Sequence, residues 1–248
     1  MASLYRAAMR TNRESKVVRL FGASALLIAG WRAPAQQTPK YVPEDHRPPL
    51  FFRESWKDPG VQETPVRQDH MTGSNLELKL YGPGSSDVRI VHHQSPEDDP
   101  TYIWSGSAPA NWAVTIRDRN NYVDLSGSVA KIRWRTKEAG FHLLRPVLKL
   151  ADGTFLVGSH VESYAQDWLE TEFALADVRW RVLDEKNVVE SRMEAGWKSN
   201  PDLTRVDEVG FTDLTRGSGG GPGGGSRVDW IEVYGFPLAR ESGKAVSR

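Results

Sequence analysis

The sequence predicts an all-β protein, a β-sandwich closed by its last strand. Two late segments carry most of that reading, because residues 206–214 and 226–234 each alternate apolar and polar side chains at period two. Val209 and Phe211 share one face of the first, with Glu208 and Thr212 on the other. In the second, Ile231 and Val233 oppose Trp230, Glu232 and Tyr234. Shorter alternating runs recur between turn signals along the chain, and the nine Trp and seven Tyr suit both strands and sugar-stacking surfaces.

Taken in order, residues 1–35 resemble a secretory signal. A basic stretch precedes the apolar run 20–31, and Ala33-Pro34-Ala35 supplies the small residues of a cleavage site. Met9 offers an alternative start. The run is too short to span a bilayer comfortably, so no stable membrane span is expected, and the protein is expected to be secreted or periplasmic. Residues 36–49, rich in Pro and Gln, read as an extended linker. The β-sandwich domain is then assigned to 50–238 and a polar tail to 239–248, with fraying expected after Gly235. No internal repeat argues for more than this one domain.

Within it, residues 50–56 read as an edge strand, 59–65 as a break, and 75–81 as a strand with Leu76, Leu78 and Leu80 on one face. Gly82-Pro83-Gly84 turns the chain into a short strand at 88–91, and 92–104 is irregular and polar. Trp112, Val114 and Ile116 point inward, and 118–121 turns. Ile132 and Trp134 oppose Lys131, Arg133 and Arg135. Residues 141–150 carry Leu144, Leu148 and Leu150 around Pro146, which has no N–H to donate; that places the strand at an edge or at a bulge. Asp152-Gly153 is a hairpin signal before 154–157, and 168–175 is a further strand. Residues 177–198 read as a short helix or a long crossover loop pinned by Trp180 and Trp197. The run 216–225, almost all Gly and Ser, reads as a flexible connection.

The formal charge is zero, but removing the first 35 residues leaves 26 basic and 31 acidic side chains. A mildly acidic remainder argues against nucleic acid as a partner, since phosphate binding needs a basic face. There is no cysteine, which excludes thiol chemistry and disulfides. There is also no Gly-x-Ser-x-Gly, no His-Glu-x-x-His and no phosphate-binding glycine loop. Carboxylate pairs for glycoside hydrolysis can be drawn (Asp99, Glu170, Asp213), but among 32 acids such a pair can always be drawn.

The order Asp124-Leu-Ser, Ile132-Arg-Trp-Arg, Leu148-Lys-Leu-Ala-Asp-Gly, Trp168, Val206-Asp-Glu-Val-Gly-Phe and Asp229-Trp-Ile-Glu-Val-Tyr resembles the galactose-binding-like jelly rolls found in many carbohydrate-binding modules. The resemblance covers residues 75–235 and is one of strand spacing, without a catalytic signature. It implies a jelly-roll β-sandwich, a polysaccharide or oligosaccharide as partner, and ligands on a concave sheet face or on its rim loops. It also implies a structural calcium between the terminal strands, for which Glu54 and Glu232 are the candidates.

The densest chemical cluster is His92 and His93 with Asp98 and Asp99, residue types that ligate metals and hydrogen-bond sugar hydroxyls. Adjacent strand residues point to opposite faces, so both histidines reach one ligand only if the backbone leaves the strand there. Trp104 and Trp112 flank 105–110; Trp112 is in phase with Val114 and Ile116 and reads as core, whereas Trp104 fits either the core or a sugar platform. Arg133, Arg135 and Arg145 lie on the polar faces of neighbouring strands, where an ordinary ion-paired surface is the competing reading. The expected ligand contacts are His93, Asp99, Trp104, Arg135 and Arg145. The expected function is binding of carbohydrate without cleavage. The alternatives are a glycan hydrolase or lyase using the 92–99 loop, with or without a metal, and a structural or adhesion module of the envelope.

Overall fold

In the computed structural model, residues 46–97, 99–106, 108–191, 196–215 and 224–240 are described. All belong to the unit Val42–Arg248. The signal-like segment, most of the linker, Asp98, most of the glycine run and the tail beyond Arg240 lie outside these residues.

Seventeen strands form among them, in chain order β1 (Leu50–Glu54), β2 (Glu63–Pro65), β3 (Leu76–Tyr81), β4 (Arg89–Val91), β5 (Tyr102–Trp104), β6 (Trp112–Asp118), β7 (Asn121–Asp124), β8 (Lys131–Ala139) and β9 (Leu144–Leu150). They continue as β10 (Phe155–Gly158), β11 (Leu169–Ala174), β12 (Trp180–Asp184), β13 (Val189–Glu190), β14 (Trp197–Lys198), β15 (Val206–Asp213), β16 (Gly225–Tyr234) and β17 (Phe236–Ala239). One sheet runs β11-β8-β16-β5-β4-β2, with β1 also on β16. The other runs β13-β12-β10-β9-β15-β6-β3, with β14 on β12, β7 on β15 and β17 on β7. Every strand pairing in the two sheets is antiparallel, and the fold is an all-β sandwich of jelly-roll type.

The alternation read from the sequence sets which side chains are inside. Ile132 and Trp134 of β8, Ile231 and Val233 of β16, and Val209 and Phe211 of β15 are all buried in one apolar cluster between the sheets. Trp112 and Trp56 meet Phe211 edge-on, at ring separations of 6.1 and 6.5 Å. Between β15 and β6 the backbones come so close that a Cβ on Gly210 would lie 1.9 Å from the Val114 carbonyl oxygen. Only glycine fits there.

Several segments differ from their sequence reading. β9 is not at an edge: it lies between β10 and β15, with Pro146 opposite Phe211. Its register with β10 ends at Val147, so the imide falls where that ladder is already running out. The described residues of 177–198 include no α-helix and no long crossover; β12, β13 and β14 extend the second sheet, with Trp180 in the core. β17 is a strand paired to β7 rather than a frayed end. β2 and β5 form where a break and an irregular loop were expected, because each finds an antiparallel neighbour in β4.

Candidate functional site

β2 and β4 pair with Glu63 opposite Val91, so the chain entering β2 and the chain leaving β4 emerge at the same end. Between them opens a pocket of about 510 Å³ lined by residues 58, 60–62 and 92–95. Its walls are held by short-range hydrogen bonds. Gly60 N–H donates to Asp58 Oδ1 at 2.7 Å, with Gly60 in the left-handed region at φ 69°. His92 N–H donates to the Gln62 carbonyl at 3.0 Å.

Because β4 ends at Val91, both histidines follow the strand and are freed from its two-face alternation. His92 Nε2 lies 3.7 Å from Asp58, and its Nδ1 is 3.3 Å from Thr101 Oγ1. His93 Nδ1 is 2.7 Å from Asp99 Oδ2 and 3.4 Å from the Tyr102 hydroxyl. When Nδ1–H is directed at Asp99, the neutral imidazole offers Nε2 as an acceptor. Burial raises the Tyr102 phenol above its usual range, and the Asp99 charge pushes the same way, so Tyr102 stays protonated.

From this pocket a chain of rings and cations crosses the outer face of the first sheet. Tyr102 meets Trp168 edge-on at 5.3 Å, Arg135 lies over Trp168 at 5.4 Å, and Arg135 pairs with Asp229 at 2.7 Å. Further along, Arg53 and Arg133 both cover Trp230, at 4.3 and 5.3 Å. Arg133 also reaches Glu170 at 2.6 Å. The arginines of this face are thus paired across strands, as the ordinary reading of an ion-paired sheet has it.

The structure brings His93 and Asp99 together at the pocket and puts Arg135 at the end of the aromatic chain. Three other expectations need correction. Arg145 lies on the other sheet, where it donates to the Gly158 carbonyl and to Glu190, both at 2.9 Å. Trp104 is half-buried, donates Nε1–H to the Gly224 carbonyl at 2.8 Å, and packs against Gly106 and Gly225, away from the pocket lining. Glu54 and Glu232 do not form one site. In the β1–β16 register Glu232 faces Arg53, and Glu54 projects to the opposite face. Glu232 is paired with Arg53, while Glu54 accepts hydrogen bonds from Trp56 N, Thr72 N, Thr72 Oγ1 and Gly73 N at 2.7–3.1 Å. These two carboxylates do not fit a shared calcium. Among the described residues no group of three or more His, Asp or Glu is arranged to hold a metal ion.

Asp58, Gln62, Gln94 and Trp168 were not singled out as contacts from the sequence. Asp58 and Gln62 precede a three-residue strand too short to carry a period, and only the β2–β4 pairing sets them beside the histidines.

No family model matches the chain, and no curated protein does. Among the solved structures similar at low identity are three that cover about two thirds of this chain or more. One is a family 11 carbohydrate-binding module of the cellulosomal cellulase Lic26A-Cel5E of Clostridium thermocellum (14% identity, 68% of this chain, 88% of that one, TM-score 0.36). Another is a family 11 module from Clostridium thermocellum in complex with a β-1,3-1,4-mixed-linked tetrasaccharide (16% identity, 73% and 99%, TM-score 0.39). The third is PfGH50B, at 7% identity, 66% of this chain, 24% of that one and TM-score 0.37.

Proposed function

We propose that the protein is an exported module that binds an oligosaccharide or polysaccharide at the His92–His93 pocket without cleaving it. One observation carries this reading: a pocket of about 510 Å³ into which hydrogen-bonding residues converge from two loops. Its size falls in the range of small-ligand sites, and its mixture of imidazole, amide, carboxylate and hydroxyl groups suits a polyhydroxylated ring. Trp168, half-buried beyond Tyr102, extends the contact surface along the sheet for a longer chain of sugars. Export rests on the signal-like residues 1–35.

The test is retention on a panel of immobilised plant and microbial polysaccharides, followed by calorimetry on the retained glycan. His93→Ala and Trp168→Ala are each expected to weaken binding about tenfold or more. No retention on any glycan, or unchanged affinity in both variants, overturns the proposal.

The His93–Asp99 pair at 2.7 Å favours a second reading, catalysis in the same pocket, because a carboxylate holding one imidazole tautomer is how general bases are oriented. Release of new reducing ends or unsaturated products from the retained glycan, abolished in His93→Ala, selects it over binding alone.

A further inference from the structure

We propose that a second groove, on the other sheet, binds an acidic sugar of the uronate class through Arg179. This site is separate from the histidine pocket and does not depend on the reading above. The groove measures about 620 Å³, and its lining includes Arg179, Trp180, Trp197, Lys198, Ser199 and Asn200. It forms where the chain turns into β12 and where β14 leads out toward Pro201.

Its chemistry is one-sided. No Asp or Glu occurs among its lining residues, in contrast to the histidine pocket with Asp58. The Arg179 guanidinium carbon lies 4.8 Å from the centre of the Trp197 ring, with Arg181 at 5.0 Å from the same ring. Arg181 has Glu190 at 3.8 Å, whereas Arg179 has no carboxylate partner among the described residues. Stacking on an indole fixes the plane of a guanidinium while leaving its N–H donors for a ligand at the edge.

Trp180 closes the groove from the core side, 2% exposed, and its Nε1–H has no acceptor among the described residues. A buried donor without a partner is uncommon, and this one belongs to a residue lining the groove.

The groove therefore offers donors, positive charge and an aromatic wall, and lacks acceptors with negative charge. The complementary ligand brings a carboxylate for the planar fork of Arg179 and ring oxygens for the remaining donors. Ser199 and Asn200 add groups suited to hydroxyls, which favours an acidic sugar over a bare anion.

Digalacturonate and its neutral counterpart galactobiose, titrated into the full chain while the indole N–H resonances are followed by NMR, test this. Digalacturonate is expected to shift the Trp180 and Trp197 signals. Its affinity should fall about tenfold or more in Arg179→Gln and recover in part in Arg179→Lys. Arg179 is exposed, so these variants leave the core untouched. Equal binding of galactobiose, or wild-type affinity in Arg179→Gln, overturns the proposal. Displacement of digalacturonate by inorganic sulfate at equal concentration also overturns it, because the site would then recognise charge alone.

Discussion

Glu54 and Glu138 are both buried carboxylates with opposite surroundings. Four donors converge on Glu54, and one of them, Trp56 N–H, belongs to a residue held at φ 54°, a region a tryptophan rarely adopts. Glu138 is 1% exposed, and neither of its oxygens has a hydrogen-bond partner among the described residues. Burial pushes its pKa well above the ordinary range, and the nearby charges of Asp213 and Glu162 add to that against the pull of Ser226 and Arg227. The folded chain therefore keeps a proton that an unfolded glutamate loses above about pH 4.3. Stability falls as pH rises through that window, because the folded state binds more protons than the unfolded one. Glu138→Gln removes the effect: Tm is expected to exceed wild type by about 2–4 °C or more near pH 8 and to match it near pH 4, measured by thermal denaturation across pH. The alternation of β8 put Glu138 in phase with Ile132 and Trp134, so its inward direction was legible in the sequence. Its lack of partners was not, because that depends on where residues 162, 213 and 226 arrive from distant strands.

At the scale of elements, strands with a full period were readable and short ones were not. β3, β6, β8, β15 and β16 each run six residues or more and alternate clearly, and the structure pairs all of them. β2, β13 and β14, at two or three residues, carry no period and exist because a neighbour offers a ladder. The same limit hid half of the candidate site, since Asp58 and Gln62 join the histidines only through β2. Within β15, only the approach of β6 shows what Gly210 does. Gly210→Ala would drive a Cβ against the Val114 carbonyl and the Thr115 Cα, neither of which can move without opening the ladder. A loss of at least about 3 kcal/mol of unfolding free energy is expected, measured by urea denaturation.

For the whole molecule, the order of strands in space departs widely from their order in the chain. β1 pairs with β16, joining Glu54 to Ile231, and β3 reaches β15 only through β6. Such non-local pairing makes folding slow, because loops must close before contacts reward them. Refolding followed by tryptophan fluorescence in a stopped-flow instrument is expected to take milliseconds to seconds or longer, and microsecond refolding would contradict this topology. Among the described residues no helix is long and apolar enough to cross a membrane, and the sandwich is built from strands alone with short 3₁₀ turns.

The placement of β16 has a further consequence for biosynthesis. It sits mid-sheet, flanked by β8 on one side and by β1 and β5 on the other. A nascent chain that has emerged from the ribosome only as far as residue 224 holds three of those partners with their backbone edges bare. Translation that stops early would thus release a sticky species, not a smaller working version, and chaperones would have to shield those edges until the last ladder is in hand.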